Sequence, residues 1–262
     1  MPTLPALPLA PQSPPADGPP VVAPDAAGLA RAAALLKNDQ VCAFPTETVY
    51  GLGASALSTA AVERIYALKG RPKYNPLIVH VASAKAAEAL ASAWPESATR
   101  LAAALWPGPL TMVVPRGPRI PAMVSAGRDT MALRVPAHPV ALALLQACGL
   151  PLAAPSANRS ESVSPTTAQH VARSLPAVPL ILDGGPCQLG IESTVVDLTC
   201  SPPRLLRPGA LPVRALRALL PDLEVPSLAT SLGPEPAASS QEEDTTARAA
   251  PGMMSRHYAP RA

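Results

Sequence analysis

From Ala26 to Arg207 the sequence alternates between short apolar runs of strand length and longer Ala/Leu-rich runs with helical spacing. This alternation constrains the fold more than any other feature. A helix with one apolar stripe must bury it against a neighbour, and strands that alternate with helices supply a sheet for that purpose, so an α/β domain is expected. Residues 26–36 have helical spacing with Asp25 as N-cap. Residues 40–44 read as a strand, and 58–70 as a helix opened by Ser58 and stopped by Gly70. Strands are expected over 77–82, 110–114, 130–135, 151–154, 179–183, 193–198 and 204–207. Further helices are expected in two Ala-rich stretches before Trp106, over 138–149 and over 166–175. No internal repeat is visible.

The ends of the chain read differently. Prolines number 36 in all, and many fall in residues 1–24, which read as a disordered or extended arm. Residues 221–250 turn to Pro, Ser, Glu and Thr, the composition of a linker. The last string, Ala250 to Pro260, carries Arg256, His257 and Tyr258 between prolines. The core between these ends has to be built mainly from Ala, Leu and Val, because aromatics are only 3% and Phe44 is the only Phe. The net charge of +3 permits an anionic ligand without demanding nucleic acid. Cys42, Cys148, Cys187 and Cys200 form no Cys-x-x-Cys pair, so free thiols are expected rather than zinc or disulfides. No apolar run has membrane-spanning length. The first basic residue is Arg31, so no secretory leader is expected and the cytoplasm is the expected compartment.

The loops after the expected strands carry the polar chemistry. "FPTETVYGLGA" (44–54) offers Thr46, Glu47 and Thr48, with Gly51 and Gly53 able to turn tightly or admit a ligand. "LKGRPKYNP" (68–76) places Lys69, Arg71 and Lys73 just past a helix. There they either complement the helix end as surface charges or clamp a phosphate. "APSANRSESVSPT" (154–166) presents Ser156, Asn158 and Ser164. "DGGPCQLGIESTVVDL" (183–198) presents Glu192, Ser193 and Thr194, and "LLRPGAL" (205–211) fixes Arg207. Arg134 stands inside an apolar strand and needs an anionic partner, which either a structural carboxylate or a ligand would supply. There is no G-x-x-x-x-G-K-[ST] loop, no G-x-G-x-x-G and no G-x-S-x-G elbow, and His80, His138, His170 and His257 have no metal-ligand spacing. Cations and hydroxyls without a covalent nucleophile suit the positioning of phosphates.

Taken in order, "FPTETVYGLGA", "KGRPKYNPLIVHV", "WPGPLT", "LRVPAHP", "APSAN", "SPT", "DGG", "ESTVVD" and "LLRPGAL" resemble the threonylcarbamoyl-AMP synthases and their YrdC-like domain over residues 25–220. The resemblance implies a twisted open mixed sheet flanked by helices, with a deep basic cavity. It implies condensation of L-threonine, bicarbonate and ATP to threonylcarbamoyl-AMP and pyrophosphate. A separate tRNA threonylcarbamoyl transferase complex would then modify tRNA beside the anticodon. By resemblance, Lys69, Arg71, Ser156 and Asn158 are the catalytic set. They also bind nucleotide, together with Asn75, Thr111, Ser164, Arg207 and Tyr258. Thr46, His80, Arg134 and Ser193 are implied to bind threonine. Mg2+ is implied to arrive with ATP rather than on dedicated protein ligands, and no organic cofactor is implied. The string at 250–260 resembles the linker of the family's longer form, which closes over the nucleotide and leads to a second α/β domain. By that resemblance, the 262-residue chain is expected to carry the linker of the longer form without its second domain. Two other readings stand beside this one. One is an RNA-binding or ribosome-associated module using the basic face, possible through direct tRNA or RNA contact. The other is carbamoyl-adenylate chemistry on another acceptor.

Overall fold

The computed structural model describes residues 18–226. Ten strands form one mixed sheet: β1 (Val21–Val22), β2 (Cys42–Pro45), β3 (Tyr50–Ser55), β4 (Ile78–His80), β5 (Leu110–Pro115), β6 (Thr130–Arg134), β7 (Leu152–Ala153), β8 (Ile181–Leu182), β9 (Thr194–Asp197) and β10 (Arg204–Arg207). Their spatial order is β1-β8-β2-β3-β7-β4-β6-β5-β9-β10. Parallel pairs β4/β6 and β5/β9 lie beside antiparallel pairs β3/β7 and β5/β6. Among the described residues, six α-helices connect the strands, α1 (Ala26–Lys37), α2 (Thr59–Lys69), α3 (Ala84–Glu88), α4 (Glu96–Leu105), α5 (Pro139–Cys148) and α6 (Ala168–Ser174), and α7 (Val213–Arg217) follows β10.

The helix boundaries follow the local chemistry read from sequence. Asp25 accepts the Gly28 N–H at 2.8 Å at the start of α1. Ser58 accepts the Ala61 N–H, and Gly70 closes α2 in the left-handed conformation (φ 59°). His138 caps α5, and Gly149 ends it with φ 66°.

Side chains alternate across each strand, so every central strand serves two environments. Val79 of β4, Leu133 of β6 and Met112 of β5 point into the larger core, which α2, α4, α6 and α7 also enter through residues such as Ile65, Leu101, Val171 and Leu216. On the opposite face, α1 and α5 pack together over β2, β3 and β8, where Leu36, Phe44, Leu144 and Leu182 form a second cluster. The rest of that face, over β4, β6 and β5, carries Ile78 and His80, Ala132 and Arg134, Thr111 and Val113. Its apolar part is a small cluster of Ile78, Val113, Ala132 and Val195. Polar residues gather where helical cover ends.

Three expectations are revised. Residues 44–54 are not a loop: β2 and β3 form an antiparallel hairpin in which Phe44 pairs with Gly51 and Cys42 with Gly53. A Cβ on Gly53 would come within 2.7 Å of the Phe44 ring, so this glycine makes room for an aromatic across the hairpin rather than for a turn. The Pro-rich arm expected over 1–24 contributes its end to the fold, since Val21–Val22 pairs in parallel with Ile181–Leu182. At the other boundary the fold runs past 220. Leu223 is buried, and the Glu224 carbonyl accepts the Leu205 N–H at 2.8 Å.

Candidate active site

An open cavity of about 430 Å³, the solvent at its mouth included, lies on the uncovered part of the second face. Thr46, Thr48 and Val49 reach it from the β2–β3 turn, Gly51 from the start of β3, and Ile78 and His80 from β4. Arg134 enters from β6, Ser156 from the loop after β7, Glu192 from the loop before β9, Arg207 from the end of β10 and Arg71 from the loop after α2. The structure thus gathers Thr46, Arg71, His80, Ser156, Arg134 and Arg207 from among the residues expected from sequence. Lys69, Asn75, Thr111, Asn158, Ser164 and Ser193 do not line the cavity. They brace the residues that do. Tyr258 lies outside the described residues.

Lys69 and Arg71 are not solvated surface charges, for they are only 2% and 9% exposed. The Lys69 ammonium donates to the carbonyls of Ser156 and Asn158, each at 2.5 Å, and its own carbonyl accepts the Ser160 N–H. It therefore anchors the loop that presents Ser156. That loop is also stitched to β3, with the Leu52 N–H on Pro155 O and the Ala157 N–H on Tyr50 O. Arg71 is oriented by donating to Asn75 O (3.1 Å) and Pro76 O (2.8 Å). Desolvation, then the adjacent Arg71, holds the Lys69 pKa well below its ordinary value, while Glu192 opposes the shift. Burial lowers Arg71 to about 10, still a cation at neutral pH.

Arg134 has the carboxylate partner that its place in an apolar strand demanded. Its Nη2 meets Glu47 Oε1 at 2.7 Å, Nη1 donates to Thr48 Oγ1 at 3.0 Å, and Nε donates to Gly108 O at 3.3 Å. The second Glu47 oxygen accepts the Ala137 N–H at 3.1 Å. The hairpin turn containing Glu47 thus fixes the guanidinium. Sequence reasoning noted Glu47 as polar and left it out of the site; a Glu immediately after an apolar strand, with a lone Arg in another, was the available signal.

Arg207 is held by Ser193. Its Nη2 donates to Ser193 O (2.8 Å) and Ser193 Oγ (3.0 Å), and the same hydroxyl meets Thr111 Oγ1 at 2.8 Å. Glu192 accepts from Ser164 Oγ at 2.9 Å and approaches Arg207 Nη2 at 3.6 Å. His80 stands in register with Arg134 on the neighbouring strand. Burial and then the Arg134 charge push its pKa down to about 3, so the imidazole is neutral at physiological pH.

The donor set decides what ions could bind. Among the described residues no group of three or more His, Cys, Asp or Glu could hold a metal. Mg2+ needs fewer protein ligands, because it keeps waters and shares phosphate oxygens. The Ser156 hydroxyl and the Glu192 carboxylate, both lining the cavity, fit a cation held chiefly by a phosphate ligand.

The sequence matches the family model Sua5_yciO_yrdC, described as "Telomere recombination", over residues 34–209. It is 47% identical over 232 residues to the threonylcarbamoyl-AMP synthase of Pyrococcus abyssi, covering 88% of this chain and 65% of that protein. It is 46% identical over 236 residues to the Bacillus subtilis protein of the same name, covering 89% and 65%. The chain thus spans less than two thirds of the length of these relatives. The fold is similar to a crystal structure of P. abyssi Sua5 complexed with L-threonine, with a TM-score of 0.79 and 45% identity over 88% of this chain and 65% of that one.

Proposed function

Because the chain belongs to the Sua5/YciO/YrdC family, we propose that it makes threonylcarbamoyl-AMP and pyrophosphate from L-threonine, bicarbonate and ATP, as a nucleotidyltransferase. The observation that carries this reading is the convergence of three buried guanidiniums, Arg71, Arg134 and Arg207, on one cavity with several hydroxyls. Such a site stabilises transferring phosphate charge by fixed donors, and it needs no protein nucleophile.

In this reading the threonine amine captures bicarbonate or CO₂ to form a carbamate, with water as the by-product of the bicarbonate route. A carbamate oxygen then attacks the α-phosphorus, and pyrophosphate leaves with the electron pair of the broken P–O bond. Thr46, His80 and Arg134 form the threonine half, and Ser193 stands behind the cavity wall, holding Arg207. A guanidinium has five N–H donors, and Arg134 spends three of them on Glu47, Thr48 and Gly108. The other two are available to the amino-acid carboxylate. The neutral His80 can accept or donate a hydrogen bond without adding charge.

Arg71, Arg207 and Ser156 face the nucleotide. Lys69, Asn75, Thr111, Asn158 and Ser164 keep them oriented. Mg2+, when bound, neutralises phosphate charge; Ser156 and Glu192 are the residues that would face it. The product would pass to a tRNA threonylcarbamoyl transferase complex in the cytoplasm. Pyrophosphate release with ATP, bicarbonate and each of a set of amino acids tests the assignment. Release that depends on L-threonine supports it, and release that ignores threonine removes it.

A further inference from the structure

Glu192 is the only carboxylate among the described residues that line the cavity, and it stands on the half assigned above to the nucleotide. An acid beside a triphosphate site is at first sight a liability. Like charges in a poorly hydrated cavity repel strongly, and Glu192 is only 8% exposed. Its placement is nevertheless built: Ser164 donates to Oε1 at 2.9 Å, Arg207 lies 3.6 Å from Oε2, and its field acts on both Lys69 and Arg71. The groups expected to meet phosphate are the same groups that Glu192 now offsets.

We infer that Glu192 is a specificity-determining residue that makes the cavity take the nucleotide as its divalent-metal complex rather than as the bare polyanion. The metal complex of a triphosphate carries about half the negative charge of the free form. Arg71 and Arg207 with Glu192 retained present a smaller net positive charge, which matches the complex. The same cations without the carboxylate would match the bare triphosphate better. Glu192 also offers a hard oxygen toward a cation held by the phosphates. This inference rests on the nucleotide reading of the cavity.

The test is calorimetric binding of ATP to the full chain, once with excess Mg2+ and once with EDTA. Wild-type protein is expected to bind the Mg2+ complex at least about tenfold more tightly than the free nucleotide. In Glu192→Gln that ratio should fall towards one, chiefly because metal-free binding improves. Glu192→Asp keeps the charge and should keep a ratio close to wild type, which preserves the test if the Gln variant does not fold. A Gln variant with the wild-type ratio, or an Asp variant without it, overturns the inference and leaves the proposed function standing. Wild-type protein that binds ATP in neither condition removes both.

Discussion

Replacing Glu47 by Gln tests whether the hairpin turn holds Arg134 in place. The substitution keeps size and shape but removes the charge opposite a guanidinium that is 3% exposed. Two interactions change. The 2.7 Å contact loses its charge assistance, a difference of about 1–2 kcal/mol. The amide then turns its NH₂ either at the buried Arg134 or at the part-buried Ala137 N–H, which now has an acceptor at 3.1 Å; one donor loses its partner, at about 1–3 kcal/mol. Together these predict a loss of about 3 kcal/mol, within the range for breaking a buried ion pair from one side. For a domain of this size that lowers Tm by roughly 10 °C. The companion variant Glu47→Gln/Arg134→Met removes both charges and should recover about half of the lost stability while abolishing threonine binding. Calorimetric melting and threonine titration read the two effects separately. A single variant melting within a few degrees of wild type, or a double variant as unstable as the sum of its parts, refutes the reasoning.

Three further outcomes are expected. His80 takes up a proton in the unfolded chain below about pH 6.5 but in the folded protein only near pH 3. Its contribution to stability is therefore complete above pH 6.5 and is lost as pH falls through that window, by up to about 1.4 kcal/mol per pH unit. Urea unfolding of His80→Gln should show a shallower loss between pH 6.5 and 4 than wild type. Gly209→Ala places a Cβ 2.5 Å from backbone atoms of Glu192, Ser193 and Thr194, so that segment must shift; ATP affinity should fall about tenfold by calorimetry, with a stability cost of about 1–3 kcal/mol. A chain ended at Leu220 loses the burial of Leu223 and the Leu205–Glu224 bridge, so it should melt several degrees below one ended at Pro226, a deficit of about 2 kcal/mol.

Much of the fold was legible because its signals are local. Ser58 and Gly70 bracket α2, and His138 and Gly149 bracket α5, where capping chemistry alone sets the limits. The hairpin strand β3 was not legible. Its glycines weaken the strand pattern, and the purpose of Gly53, room for the Phe44 ring, depends on a pairing that sequence does not display. Val21–Val22 was hidden for a related reason: two residues in a proline-rich arm become a strand only because β8 offers an edge some 160 positions later. For the site, the loops were visible as concentrations of hydroxyls and cations. Their division of labour was not. Which residues face the cavity and which stand behind them follows from strand register: Arg134 and His80 share a face, and Lys69 turns back to bind the Ser156 and Asn158 carbonyls.

The central claim is that one cavity joins threonine, bicarbonate and the adenylate of ATP. The most direct measurement supplies [α-³²P]ATP and [¹⁴C]bicarbonate together and separates the nucleotide products. The account predicts one labile product carrying ³²P and ¹⁴C in equal amounts, formed only with L-threonine present and missing from Arg71→Ala. Pyrophosphate released without threonine, or ¹⁴C that never travels with ³²P, would contradict it.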